Sequence, residues 1–474
     1  MKLSATQIQA IVDATKTPTP EQVRVVEAPR RPLLVVAGAG SGKTETMSMR
    51  VLWLLANHPD LTPASILGLT FTRKAAGELG DRLRERIRLL SREMPQMRER
   101  LDEDPVALTY NSFAERIVSE HGMRIGIDPD FSMLSEAGAL DLMTQIVEAW
   151  PTDLDEELRP IDAVPQVLHL AGELAEHGFT VERAREALEE LGRELSQVGD
   201  TNVEARKLLR ANRRRLAFLG PIATYQQRKR EMGVLDFSDQ LVLATRIVRE
   251  APSVRAALRE EFRAVLLDEF QDTSVIQMEL LSTLFGDHAV TAVGDPNQAI
   301  YGWRGASASS LETFLDRFQS GAPEAGQTLT LSTAWRNDVS ILDAANRVAA
   351  PLREVASYQA GKDALKAQSP VLVPRKGAGQ GTVEIAYTQV YEDALAATVD
   401  FVKRVRSQAT KDGKRRTVAV LSRRRKDFPF IDAALREAGI PTEIVGLGGL
   451  LDQPAVQDVR AALELAYDVA ASPW

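Results

Sequence analysis

The amino-acid sequence predicts an α/β protein: two domains built on parallel sheets, with a helical domain inserted into the first. Three observations lead there. Short apolar runs at Leu33–Val36, Val265–Leu267 and Val290–Val293 read as strands buried on both faces, as parallel sheets require, and each leads into glycines or acids. Between residues 115 and 260 strand signals fade and long helical patterns take over, for example Val181 to Leu195 and Glu204 to Leu219. From about 328 onward strand and helix patterns alternate again.

Size and composition agree. A chain of 474 residues suggests three or more packed units at ~100–200 residues each. With 44% hydrophobic and 26% charged residues it has globular rather than disordered composition. A net charge of −8 excludes a uniformly basic nucleosome-type binder, but leaves room for a local basic groove. The absence of cysteine excludes disulfides, Cys-ligated zinc, iron–sulfur clusters and thiol catalysis within this chain. The histidines at 58, 121, 169, 177 and 288 form no H-x-x-x-H pair, which argues against a His-based metal site. No apolar run approaches the ~18 residues of a membrane span. The start MKLSATQIQA has no apolar signal core, so a cytoplasmic address and no membrane partner are expected.

In chain order, Thr17-Pro18-Thr19-Pro20 is a turn, and Pro20 opens a helix capped by Thr19. Leu33–Val36 is the first strand, followed by a glycine-rich turn and a helix beginning near Lys43. Ser65–Thr70 is the second strand, with a helix from Arg73. The runs at 265–267 and 290–293 lead into Asp268 and into Gly294-Asp295. In the second α/β region the candidate strands are Thr328–Leu331, Thr382–Tyr387, Thr417–Leu421 and Thr442–Val445. Helices are expected at 391–408, 427–438 and 454–469, and 370–381 reads as a loop.

Two constellations carry chemistry. Residues 37–44 read AGAGSGKT between a strand and a helix. The strict phosphate-loop pattern has Gly where Ala37 stands; the rest fits. Gly38, Gly40 and Gly42, with Ala39 and Ser41 between them, let backbone N–H groups turn toward phosphate oxygens. The helix adds its positive end. Lys43 supplies a charge to the β and γ phosphates, and the Thr44 hydroxyl suits Mg2+. At 265–272 the run VLLDEFQD delivers adjacent carboxylates to the end of a strand. Asp268 can hold Mg2+, and Glu269 can orient or deprotonate a water. The long separation of Lys43 from Asp268 independently supports an insertion. On residue type alone, Trp303 reads as core as readily as a base-stacking group.

Together these segments resemble the superfamily 1 DNA helicases of the UvrD/Rep/PcrA type. TPEQ (19–22), AGAGSGKT, LTFTRKAAGEL (69–79), TYNSFAERI (109–117), LDFSDQL (235–241), LLDEFQDTS (266–274), AVGDPNQAIYGWRGA (292–306) and LSTAWRND (331–338) follow that family's order. Asn111, Asn297 and Trp335 stand where the family usually has His, Asp and Tyr. ETMSMRV (45–51), IYGWRGASA and IVGLGGLL (444–451) further resemble the AdnA/AdnB helicase–nuclease subunits. Glu45 replaces an arginine found near the nucleotide in simpler members. The family's fifth and sixth motifs are not found, which implies a C-terminally truncated chain.

The resemblance implies two RecA-like P-loop NTPase domains. The first comprises residues 1–115 and 218–306, the helical insertion 116–217, the second domain 307–460, and 461–474 begins a truncated insertion. It implies ATP and Mg2+ as cofactors, with ATP in the cleft between the α/β domains. Gln22 would read adenine, Trp335 would stack on it, Arg336 would act as an arginine finger, and Gln298 would sense the γ phosphate. Phe71, Thr72, Arg73, Asn111, Tyr301, Trp303 and Arg304 would contact single-stranded DNA, the aromatics by stacking. The implied activity is 3′-to-5′ ATP-dependent translocation and unwinding in DNA repair or recombination, at double-strand-break ends. Its partners would be single-stranded DNA, duplex junctions and a second helicase–nuclease subunit. The alternative is an ATP- and DNA-binding chain that does not unwind.

Overall fold

A computed structural model describes residues 2–128, 130–155, 158–197, 203–302, 305–306, 309–319, 326–359, 368–408, 413–445 and 454–467. Two compact parts are separable, Met1–Thr382 and Val383–Trp474.

In the first part the strands run in chain order as β1 (Leu33–Ala37), β2 (Ile66–Thr70), β3 (Val106–Thr109), β4 (Ser132–Met133), β5 (Val234–Leu235), β6 (Ala264–Leu267), β7 (Val290–Gly294), β8 (Gln327–Leu331), β9 (Thr333–Ala334) and β10 (Val373–Pro374). Six of them form one all-parallel sheet in the order β3-β2-β6-β7-β1-β8. Every residue of β1 is buried, and alternate residues serve opposite faces. Leu34 and Val36 pack with Phe113, Ile117, Leu241 and Leu280 on one side. Leu33, Val35 and Ala37 pack with Met47, Val51, Leu79 and Leu83 on the other. Such two-sided burial is why these strands read as unbroken apolar runs.

The helices that flank the sheet start where the sequence supplies caps. Thr72 caps Arg73–Glu93 and Thr109 caps Tyr110–His121. Ser274 and Gln277 form a reciprocal cap on Val275–Phe285. The helix Lys43–Asn57 is pinned by Arg50, 1% exposed. Its guanidinium donates to the carbonyls of Val25 (2.9 Å), Ala28 (2.8 Å) and Pro29 (3.0 Å) and to Thr291 Oγ1 (2.9 Å). Burial lowers its pKa to about 10.

Four helices, Glu136–Glu148, Pro160–Glu176, Val181–Gln197 and Val203–Met232, carry a core of their own around Met143, Ile146, Val167, Phe218, Leu219 and Ile222. This is the expected helical insertion. The boundaries expected at 115/116 and 217/218 each cut through a continuous helix, Tyr110–His121 and Val203–Met232. A helix runs on wherever both its ends have faces to bury, so composition shifts do not mark its ends.

Three further expectations change. Residues 327–331 belong to the first sheet, paired in parallel with β1 from Leu33↔Gln327 to Ala37↔Leu331, so a start of the second domain at 307 falls inside the first compact part. The loop at 370–381 contains the short strand β10, paired with β9. The segments 382–387, 417–421 and 442–445 form no strand. Alternating apolar residues are necessary for a strand, but a ladder partner must also take up the N–H and C=O groups. Here Ile385, Tyr387 and Leu421 stand more than 90% exposed. The second part keeps the helices Tyr391–Ser407, Phe428–Glu437 and Pro454–Tyr467 at nearly their expected places, with a small core of Val402, Leu435 and Ile440. Among the described residues no helix is long and apolar enough to cross a membrane.

Candidate functional site

The sheet order brings the chemistry together. β6, β7, β1 and β8 are consecutive neighbours, so the segments leaving their C-terminal ends lie in a row. These are Asp268–Glu269, Asp295, the loop from Gly38 to Gly42, and Ser332 to Arg336. Ligands of open parallel sheets bind along that edge.

The loop has the backbone a phosphate cradle needs. Gly40 (φ 74°) and Gly42 (φ 82°) are left-handed. Gly42 is the N-cap of the helix Lys43–Asn57 and offers no side-chain cap, so first-turn N–H groups are left for another acceptor. Ser41 Oγ is buried without a partner. Orphaned donors at a helix N-terminus fit a bound phosphate chain. A Cβ on Gly40 would fall 3.1 Å from Arg336 Cβ, and one on Gly42 would fall 3.2 Å from Gln22 Nε2 and 3.6 Å from Trp335 Cδ1. The Trp335 N–H donates to the Gly40 carbonyl at 2.8 Å. Gln22, Trp335 and Arg336, expected to meet one nucleotide, are thus gathered around this loop. Trp335 and Arg336 are exposed, while Gln22 is buried, shares a reciprocal cap with Thr19, and donates to Thr46 Oγ1 at 3.3 Å. Ala37 is the last residue of β1, Ala39 lies in the turn, and Thr44 sits in the first turn of the helix.

Lys43 Nζ lies 3.1 Å from Glu269 Oε2. The two halves of the expected chemistry, 226 residues apart in sequence, therefore touch. Glu269 is held at φ 49°, a left-handed conformation uncommon for a side-chain-bearing residue, which turns it back toward the loop. Asp268 is 8% exposed and accepts the Glu269 N–H at 3.0 Å. Burial, then the neighbouring Glu269 charge, push its pKa up to about 6, with Lys43 opposing. A buried carboxylate short of donors is a fitting ligand for a divalent cation, and Asp268 with the Thr44 hydroxyl could hold Mg2+. The Tyr110 hydroxyl donates to the Asp268 carbonyl at 2.9 Å.

Gln298, expected as a phosphate sensor, donates to Asp295 Oδ2 at 2.7 Å. Ser369 Oγ donates to Asp295 Oδ1 at 2.6 Å. On the expected DNA side, the Phe71 and Tyr301 rings lie 4.6 Å apart at 34°. Thr72 Oγ1 is taken by its helix cap, accepting the Ala75 N–H at 3.1 Å; Arg73 is exposed; Asn111 Oδ1 accepts from Gln277 Nε2 at 3.2 Å. Phe71, Arg73 and Asn111 line one cavity of about 830 Å3, which separates the sheet edge from the helical insertion. Trp303 and Arg304 lie outside the described residues.

Three groups escaped the reading of the sequence. Glu21 takes the Ser332 N–H (2.9 Å) and hydroxyl (2.7 Å), tying the TPEQ segment to the chain leaving β8. Lys229 lies 2.5 Å from Asp236 and 2.6 Å from Asp239, beneath the LDFSDQL segment. Gln271 links the ends of β6 and β7 by accepting the Asp295 N–H at 3.0 Å. The quoted motifs contain one partner of each contact, but no local signal names the other. Glu45 pairs with Arg86.

A parallel sheet whose edge carries a glycine cradle, its lysine and a facing pair of acids defines a phosphate-loop nucleotide-binding protein. Residues 18–319 match the UvrD/REP helicase N-terminal domain, and the chain belongs to that family. It is 27% identical over 448 residues to DNA helicase II of Escherichia coli (strain K12), covering 94% of this chain and 54% of that protein. It is 26% identical over 451 residues to the ATP-dependent DNA helicase PcrA of Leuconostoc citreum, covering 94% and 52%. The chain spans about half the length of the curated relatives it matches.

Proposed function

We propose that this chain is the ATP-binding and DNA-binding part of an ATP-dependent DNA helicase that moves 3′ to 5′ along single-stranded DNA in repair or recombination at double-strand-break ends. A second helicase–nuclease subunit is its proposed partner. The observation that carries the reading is the 3.1 Å approach of Lys43 to Glu269, beside Asp268 and within the ring of Gln22, Trp335 and Arg336.

In this reading the amides of Gly38–Thr44 and the Lys43 ammonium hold the phosphates of ATP. Thr44 and Asp268 hold Mg2+, which would neutralise phosphate charge. Lys43 turns from Glu269 to the phosphates and frees that carboxylate to orient the attacking water. Arg336 stabilises charge developing on the γ phosphate, and Gln298 senses that phosphate from its place on Asp295. Trp335 stacks on adenine and Gln22 reads its edge. Phe71 and Tyr301, with Trp303, stack on bases; Thr72, Arg73, Asn111 and Arg304 take phosphate and sugar. Domain assignments follow the same reading: 1–115 with 218–306 as the first RecA-like domain, 116–217 as its insertion, and 307–460 as the second.

The test is ATP hydrolysis with and without mixed-sequence single-stranded DNA, followed by strand separation on duplexes with 3′ or 5′ tails. DNA-stimulated turnover with unwinding of the 3′-tailed duplex is expected. Stimulated turnover without unwinding supports the narrower alternative of a binding chain. Turnover indifferent to DNA points to a phosphate-loop ATPase acting on something else and sinks the proposal.

A further inference from the structure

The Gln271 side chain is the junction of the site. Its Nε2 lies 2.8 Å from Glu269 Oε2, the same oxygen that Lys43 reaches at 3.1 Å. That nitrogen also lies 3.2 Å from Asp272 Oδ2. Its Oε1 accepts the Asp295 N–H at 3.0 Å. Gln271 is 2% exposed, so none of these bonds is shared with bulk water. Gly294 makes the approach possible: a Cβ there would fall 2.7 Å from Gln271 Oε1.

Asp272 continues the chain of contacts outward. The Ile300 N–H faces its carboxylate. Ile300 directly precedes Tyr301, whose ring lies 4.6 Å from Phe71. Beyond Tyr301, Ala306 bridges Ser274 in antiparallel fashion. Both ends of the segment 300–306 are therefore tied to the stretch 272–274. Asp272 Oδ1 is buried without a hydrogen-bond partner, so this carboxylate can take a new donor without giving one up.

We propose that Gln271 and Asp272 are positioning residues that couple nucleotide affinity at the phosphate loop to single-stranded DNA at the Phe71–Tyr301 pair; this rests on the reading of the chain as an ATP- and DNA-binding motor. The two N–H groups of one amide serve two carboxylates. When phosphate draws Lys43 from Glu269, the Glu269 carboxylate relies on Gln271 alone, and the amide shifts toward it. The hold on Asp272 then slackens, and the Ile300–Tyr301 backbone follows. A base stacked on Tyr301 sends the same displacement in reverse. Thermodynamic linkage requires the two effects to be equal: nucleotide must change DNA affinity by the factor by which DNA changes nucleotide affinity.

The experiment titrates a fluorescent, non-hydrolysable ATP analogue into the chain with and without saturating oligo-dT, and oligo-dT with and without analogue. In the parent chain each ligand shifts the other's Kd by the same factor, roughly 5-fold or more. In Asp272→Asn, which keeps the side-chain shape, that factor falls to near one while each ligand alone still binds. Gln271→Met, which fills the space without the amide, has the same outcome and serves if the first variant does not fold by circular dichroism. Asp272→Glu, which keeps the carboxylate, restores part of the factor; a merely structural role for this position would not separate these variants by coupling. A variant that binds both ligands with the parent's factor overturns the link. A parent chain that binds both with no mutual effect also overturns it but leaves the motor reading standing. A parent chain that binds neither overturns the motor reading itself.

Discussion

The two compact parts of the chain use their apolar residues differently. In residues 1–382 the strands bury both faces, and two cores lie on either side of one sheet. In residues 383–474 three helices share a core whose fully buried members are Val402, Leu435 and Ile440, while Ile385, Tyr387 and Leu421 face outward. Each described candidate site residue, from Gln22 to Arg336, lies in the first part. A rigid two-sided sheet can hold facing groups to hydrogen-bond distance, whereas a part with few buried contacts opens locally at low free energy. The difference teaches that the site is built where the packing is deep, including Trp335 and Arg336, which the chain leaving β8 delivers.

The largest test of that contrast is Arg50→Met. The substitution leaves three carbonyls and the Thr291 hydroxyl without their donor in a closed interior. Each unsatisfied buried group costs about 1–3 kcal/mol, so a loss of at least about 3 kcal/mol is expected by denaturant titration. In the second part Leu435→Ala should cost less, about 2 kcal/mol, because its small core can collapse around the gap. Equal losses at the two positions would erase the contrast.

Next comes Lys43→Ala. A charge-assisted contact to phosphate is worth about 1.5–3 kcal/mol, so nucleotide affinity should fall roughly 10- to 100-fold with stability nearly unchanged. The variant also frees Glu269 from its cation. Titration with a fluorescent ATP analogue reads the first effect and thermal unfolding the second. Parent-like affinity would remove the loop from the site. Smaller again, Phe71→Ala should weaken binding of mixed-sequence oligonucleotides by ~1–3 kcal/mol, since it removes one face of the Phe71–Tyr301 pair. An unchanged affinity would make that pair a packing contact.

What could be read in the sequence follows the range of the interactions. The strands β1, β2, β6 and β7 were legible because two-sided burial writes itself into consecutive apolar residues. Thr19, Pro20 and Gln22 were legible as a helix start because a cap is local. The meeting of Lys43 with Glu269 was reached only through motifs whose order resembles a family. Membership of β8 in the first sheet was not legible, since register between strands almost 300 residues apart is decided by tertiary packing. The same holds for Glu21 with Ser332, for Lys229 under Asp236 and Asp239, and for Gln271 between β6 and β7. In 417–421 the alternation was present but the ladder partner was not, and a pattern cannot report its partner.

The smallest expected effect is in pH, and it sharpens the contrast because only the deep part holds a carboxylate so displaced. Burial and Glu269 push Asp268 up to about 6 from an ordinary value of 3.8. A raised value in the folded chain means folding favours the protonated acid. Its stabilising contribution is complete below about 3.8 and is lost as pH rises through about 6. Asp272, also pushed up to about 6 by burial and Glu269, adds to the same slope. Without divalent metal the chain should therefore lose thermal stability between pH 5 and pH 7. A cation held by Asp268 requires the ionised form, so Mg2+ affinity should weaken by up to about tenfold per pH unit below 6. Added Mg2+ should raise the melting temperature at pH 7 and have little effect at pH 5, reversing the apo trend. Asp268→Asn should abolish the Mg2+ response and leave only the part of the apo slope that belongs to Asp272. A melting temperature that responds to Mg2+ equally at both pH values would show that the ion binds elsewhere.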